Sequence, residues 1–177
     1  MTWFSKLLFS LTAPLSKQGK PKHLDPNHTP GTMTDYRTFE EYFDTLGIKH
    51  FTADEFTSYF HVHRRGVTNS EPARELWGNI VPTLRIVDEL RGLFGVPIVI
   101  LSSYRSPAYN AAIGDAAPKS YHMRFQALDI AVAGKTPRQV FAVLDGWRDV
   151  GKFKGGLGLY STFVHVDTRG YNATWGT

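Results

Sequence analysis

The stretch Ser120-Tyr121-His122-Met123-Arg124-Phe125-Gln126-Ala127-Leu128-Asp129-Ile130-Ala131-Val132 decides how the rest of the chain is read. Its second half is an apolar run bounded by Gly134, and it predicts a strand. Leu128, Ile130 and Val132 share one face; Ala127, Asp129 and Ala131 share the other. A carboxylate between alanines on a buried strand must be paired, hydrogen-bonded or bound to a metal, because an isolated charge is costly to take out of water. His122 lies just upstream, and a later apolar stretch, Phe163-Val164-His165-Val166-Asp167, carries a second histidine. A metal is the sharpest of the three options.

The bulk numbers leave room for it. The chain has 177 residues, enough for one domain with a sizeable core. Hydrophobic residues make up 42% and aromatic residues 14%, which separates it from disordered sequences. There is no cysteine, so thiolate zinc sites, disulfides and cysteine nucleophiles are excluded and any metal must be held by nitrogen and oxygen. A formal charge of +4 favours anionic surroundings, such as a polyanionic polymer or an envelope. Lys and Arg are scattered without a nucleic-acid motif, so no nucleic-acid partner is expected.

Residues 1–34 read as an extension and linker, and 35–177 as the functional domain. Lys6 followed by Leu7-Leu8-Phe9-Ser10-Leu11 is a weak signal-like or interfacial segment, too short to span a bilayer and broken by Pro14. An export signal, weak membrane association and a docked extension all stay open. Pro21, Pro26, Pro30 and Gly31 then mark a linker.

Helical spacing follows over Tyr36–Leu46, and Thr52-Ala53-Asp54-Glu55 has the form of a capping box opening a short helix. A longer helix runs from about Pro72 to Phe94, kinked or restarted at Pro82, with Leu76, Ile80, Leu84, Val87, Leu90 and Leu93 as its buried stripe. Gly95 ends it. Val96–Ser102 is so continuously apolar that it predicts a central strand covered on both faces. Pro107–Ile113 reads as a short helix, and Thr136-Pro137 opens another that reaches about Val150. Gly155–Tyr160 and the His165 strand are close enough for a hairpin. The fold class expected is α+β: a small antiparallel sheet carrying the site, flanked by helices.

His122, Asp129 and His165 offer two imidazoles and a carboxylate, a donor set zinc accepts while keeping a fourth position open. Such a centre can polarise a carbonyl and bring bound water to a pKa of roughly 7. The other reading is a surface-loop histidine and a carboxylate satisfied by hydrogen bonds. No Gly-x-Ser-x-Gly elbow is present, and Gly155–Gly158 lacks the Lys-Ser/Thr ending of a phosphate loop.

Ser120-x-His122, Ala127-x-Asp129, Gly155-Gly156-x-Gly158-x-Tyr160 and Phe163-Val164-His165-Val166-Asp167-x-Arg169 occur in an order that resembles the zinc D-Ala-D-Ala carboxypeptidase family. Relatives of that family include L-Ala-D-Glu endopeptidases, phage endolysins and the zinc-bearing hedgehog domain. Ser102-Ser103-Tyr104-Arg105-Ser106-Pro107 and Tyr109-Asn110 match the segment before the first ligand, and upstream pieces are similar to a bacterial and phage branch. The resemblance spans Phe51 to Trp175.

It implies Zn2+ held by His122, Asp129 and His165, with Arg105 gripping a substrate carboxylate or carbonyl, a task that suits its guanidinium fork. The implied substrate is the stem peptide of peptidoglycan, cut as a D,D-carboxypeptidase or endopeptidase. The implied location is the periplasm or envelope if the chain is exported, and the cytoplasm until lysis if it is phage-encoded. Asp167 shares a face with His165 and has two candidate roles, base for the zinc water or hydrogen-bond partner of a ligand histidine. His61, His63 and Tyr160 are weaker candidates.

Two positions depart from the family's pattern. Thr162 stands where many relatives have an acid, and Phe125 where they have glycine. Both favour an alternative, a zinc-containing wall-binding module of the same fold without turnover.

Overall fold

In the computed structural model, which describes residues 36–176, the aromatic N-terminal segment forms α1 (Phe39–Asp44), capped by the Thr38 hydroxyl. The second start signal is only half realised. The Glu55 carboxylate accepts the Thr52 N–H at 2.9 Å, yet α2 (Asp54–Thr57) is a single turn that begins after Ala53 without a side-chain cap. Phe39, Phe43, Phe56 and Phe60 are buried together with Trp77. A two-stranded hairpin, β1 (His63–Arg64) and β2 (Val67–Thr68), follows where no strand was expected.

The long helix is two elements. A 3-10 segment, Arg74–Ile80, leads into α3 (Val81–Phe94), with Pro82 in the first turn, where its missing N–H costs nothing. Gly95 ends α3 in the left-handed conformation at φ 62°. Leu84, Val87 and Leu90 are buried as the stripe predicts, but Leu93 is 60% exposed. Three successive three-residue steps each fall about 60° short of a turn, which carries Leu93 to the far side from Leu84.

A five-stranded sheet carries the second half of the chain, ordered β3-β4-β6-β5-β7. Its strands are β3 (Ile98–Ser102), β4 (Ala127–Val132), β5 (Gly156–Leu159), β6 (Val164–Asp167) and β7 (Ala173–Trp175). Neighbours are antiparallel except β5 and β7, which run parallel. The expected α+β class holds. β3, read as central, is an edge strand paired only with β4. Ile98 and Ile100 are buried on one face while Val99 and Leu101 are half-buried on the other, and an apolar run says nothing of how many hydrogen-bonded neighbours a strand has. α4 (Pro107–Ala112) and α5 (Pro137–Asp149) complete the fold. α5 opens with a full capping box between Thr136 and Gln139 and packs on β5 through Val140 and Leu144.

One cross-strand row matters most. Ser102, Asp129, His165, Gly158 and Trp175 are successive register partners across all five strands. Leu128, Ile130, Val164 and Val166, which point the other way, are wholly buried or nearly so. No described helix is long and apolar enough to cross a membrane. The expectations for residues 1–34 lie outside the described residues.

Candidate metal centre

Asp129 and His165 face each other because β4 and β6 pair in register. His122 reaches them from a 3-10 turn, Tyr121–Arg124, which Ser120 caps and Phe125 closes in the left-handed conformation. A backbone bond fastens this turn to the segment after β3: the Arg105 N–H donates to the His122 carbonyl at 3.2 Å. All three side chains are buried.

Three donor atoms converge. His122 Nε2 lies 3.2 Å from Asp129 Oδ1 and 3.2 Å from His165 Nδ1, and the last two are 2.9 Å apart. Ligands about 2.0–2.1 Å from a tetrahedral zinc stand roughly 3.3–3.4 Å from one another, so the triangle has nearly the required size. The remaining ring nitrogens are fixed from behind. His122 Nδ1 donates to the Ser103 carbonyl at 2.7 Å, and His165 Nε2 donates to Asp167 Oδ2 at 3.0 Å. A carbonyl can only accept, so the free lone pair of a neutral His122 is on Nε2; His165 lies between two carboxylates, and with a metal in place of its contact to Asp129 the bond to Asp167 leaves its lone pair on Nδ1. Both lone pairs face the shared point. The group could hold a metal.

Without a metal, protons on the histidine nitrogens take its place at the shared point and face Asp129. Burial alone would push Asp129 up, but the charge and hydrogen bonds of His122 and His165 outweigh it and hold the carboxyl far below the usual range. Burial lowers His122. Burial acts on His165 in the same direction, yet its bonds to Asp129 and Asp167 prevail and raise it.

Behind His165 sits a second layer that the sequence reading did not resolve. Asp167 is fully buried, and its carboxylate accepts from Arg169 Nε, Arg169 Nη2 and the backbone N–H groups of Gly156 and Arg169. The Gly-Gly-x-Gly stretch makes space for it. A Cβ on Gly156 would stand 2.5 Å from Asp167 Oδ2 and 2.6 Å from Arg169 Nη2, and one on Gly158 would stand 2.5 Å from Trp175 Nε1. Since Gly158 has no side chain, the Trp175 ring reaches His165, centroid to centroid at 5.0 Å. Gly156→Ala is therefore expected to displace the Asp167–Arg169 pair and destabilise the fold by about 1–3 kcal/mol. Denaturant titration checks this; a variant as stable as the parent means the pair has slack.

Arg105 lies on the other side of the centre. Its Nη2 donates to Asp129 Oδ2 at 2.5 Å and its Nε to Ser102 Oγ at 2.8 Å. Oδ2 is thereby occupied, leaving Oδ1 to the histidines. Of the weaker candidates, His61 is exposed beside Glu71 and His63 is exposed against Thr68. Tyr160 is 42% exposed, stacks on Phe163 and accepts a hydrogen bond from Trp175. Thr162 is exposed on the turn before β6. Trp175 was missed because β7 is three residues long and carries no alternating pattern.

Two histidines and one carboxylate, buried on a sheet with their outer nitrogens fixed, define a protein built like a mononuclear metal-dependent hydrolase. The family model described as Peptidase M15 matches residues 49–167, more than half of the chain and every residue of this donor set. The chain belongs to the peptidase M15 family, a family of metal-dependent peptidases. Neither a curated protein nor a solved structure gives a match.

Proposed function

We propose that this protein is a zinc-dependent peptidase that hydrolyses peptide bonds in the stem peptides of peptidoglycan, as a D,D-carboxypeptidase or an endopeptidase. The observation that carries the reading is the triangle of His122 Nε2, Asp129 Oδ1 and His165 Nδ1, each atom aimed at one point by a partner behind it. Bound there, zinc would polarise a scissile carbonyl and supply a water-derived nucleophile at neutral pH. The chain's own residues do the rest. Arg105 Nη1 makes no hydrogen bond among the described residues, so it can meet a substrate carboxylate or carbonyl while Nη2 holds Asp129. Asp167, its oxygens occupied by Arg169, Gly156 and His165, acts as the partner of His165 and not as a proton acceptor for water. The excess of basic residues suits an anionic envelope, whether the protein remodels its own cell wall or lyses a host's.

A second reading, a zinc-containing wall-binding module without turnover, draws on Thr162, which is exposed just before β6 where the resemblance implies an acid. Incubation of the purified protein with peptidoglycan, with and without a chelator, separates the two. Zinc-dependent release of D-alanine identifies a carboxypeptidase, and shortened stems or opened cross-links identify an endopeptidase. Binding to the wall with no zinc-dependent product overturns the enzyme reading.

A further inference from the structure

We propose that Arg169 is a positioning residue of the metal centre: it fixes the Asp167 carboxylate, and through it the ring and Nε2 proton of His165. The inference rests on reading His122, Asp129 and His165 as metal ligands. No hydrogen bond among the described residues joins Arg169 to His122, Asp129 or His165; its hydrogen-bonded route to the centre runs through Asp167.

The two histidines are held by different means. His122 is backed by a backbone carbonyl, Ser103 O, which the β3–α4 segment fixes and which can only accept. His165 is backed by a side chain, and a carboxylate can rotate about its own bonds unless something stops it. Arg169 stops it. Its Nε lies 2.9 Å from Asp167 Oδ1 and 3.1 Å from Oδ2, its Nη2 lies 2.5 Å from Oδ2, and its own N–H adds a bond of 3.1 Å to Oδ1. This fork sets the plane of the carboxylate and leaves Oδ2 facing His165 Nε2. It also supplies the countercharge that a wholly buried carboxylate requires.

Arg169 is itself clamped between rings. Its guanidinium carbon is 4.3 Å from the Tyr121 ring centroid and 5.1 Å from that of Trp175. Trp175 rests in the space left by Gly158 and packs on His165, so one indole confines both the arginine and the ligand it governs. Tyr121 belongs to the turn that presents His122. The cluster thus joins both histidine-bearing elements, which a surface ion pair would not do.

Arg148 provides the comparison. It is also buried and tied to the sheet edge, donating to Gly155 O, Ala173 O, Thr174 Oγ1 and Asp145, but it has no bond to the centre. The test uses the full chain with 15N-labelled histidine, free of metal and above neutral pH, together with zinc affinity by chelator competition. In the parent, His165 is expected to carry a fixed proton on Nε2, bonded to Asp167, and His122 one on Nδ1, bonded to Ser103 O. Arg169→Gln should cost the His165 Nε2 proton its fixed bond to Asp167 and weaken zinc binding about 10–100-fold, while His122 keeps its Nδ1 proton on Ser103 O. Arg169→Lys restores the charge without the fork and should recover part of the affinity. Arg148→Gln should lower the melting temperature and leave the His165 Nε2 proton and the zinc affinity as they were.

The proposal is overturned if Arg169→Gln leaves the His165 Nε2 proton and the affinity unchanged, or if Arg148→Gln alters them as much. A parent that binds no zinc, yet whose His165 Nε2 proton responds to Arg169→Gln as described, would defeat the metal reading and leave the positioning role standing.

Discussion

His122→Ala is expected to reduce bound zinc from one equivalent to none and to abolish hydrolysis, with little change in the metal-free fold. The imidazole supplies one of three donors, and two donors cannot hold zinc against a chelator or bulk water. The variant loses the hydrogen bond to Ser103 O, the 3.2 Å contact with Asp129 Oδ1 and a ring that packs edge-on against His165. Asp129→Asn should also abolish zinc binding, but its second effect is the larger one. Arg105 is 15% exposed and its closest anion is Asp129, so the amide leaves a nearly buried guanidinium without its partner. Removing one member of such a pair costs about 3–5 kcal/mol. The two variants should therefore look alike in metal analysis and differ in denaturant titration of the metal-free protein. Zinc should also stabilise the parent, by about 4 kcal/mol when free zinc is a thousandfold above its dissociation constant, and this increment should vanish in both variants. Full zinc occupancy in His122→Ala would move the centre elsewhere.

Much of this centre could be read from the chain because its elements obey local rules. Strand β4 has the bounds that alternation assigns, and the oddity of Asp129 on an apolar strand led directly to the two histidines. Gly95, Pro82 and the Thr136–Gln139 box sit where helix-end chemistry puts them. What escaped is non-local. The edge position of β3 depends on which strands pair, which a hydrophobic run does not encode. β1, β2 and β7 have two, two and three residues, too few to show a period. The glycines of β5 were visible as a motif, but their purpose was not. It emerges only when Asp167, Arg169 and Trp175 are seen filling the space they leave.

Phe125 bears on whether the centre has drifted. The resemblance puts glycine where this chain has Phe125, and phenylalanine would be strained if the turn needs positive φ, so either the turn is built differently or the site has drifted. The turn keeps the left-handed geometry, with φ 51° and ψ 48° at Phe125. That conformation costs a non-glycine residue about 1–2 kcal/mol. Against it stands a ring that is wholly buried, with centroids 5.4 Å from Phe39, 5.8 Å from Phe60 and 6.0 Å from Tyr104. Truncating such a phenylalanine to alanine costs about 3–5 kcal/mol, so the side chain outweighs the strain.

The order of two variants tests that balance. Phe125→Ala loses the ring and keeps the strain; Phe125→Gly loses the ring and sheds the strain, less the added freedom of the unfolded chain, about 0.4–1 kcal/mol. At an ordinary φ alanine would be the more stable of the two. Here glycine should match or exceed alanine by up to about 1 kcal/mol, and both should lie several kcal/mol below the parent. Zinc affinity should fall with stability in both, since this turn carries His122. A glycine variant more stable than the parent would reverse the argument. Phe125 would then be a strained departure, and the reading without turnover would gain its best support. With phenylalanine the more stable, the ring is an anchor that binds the His122 turn to the aromatic core, and the substitution stops counting against catalysis.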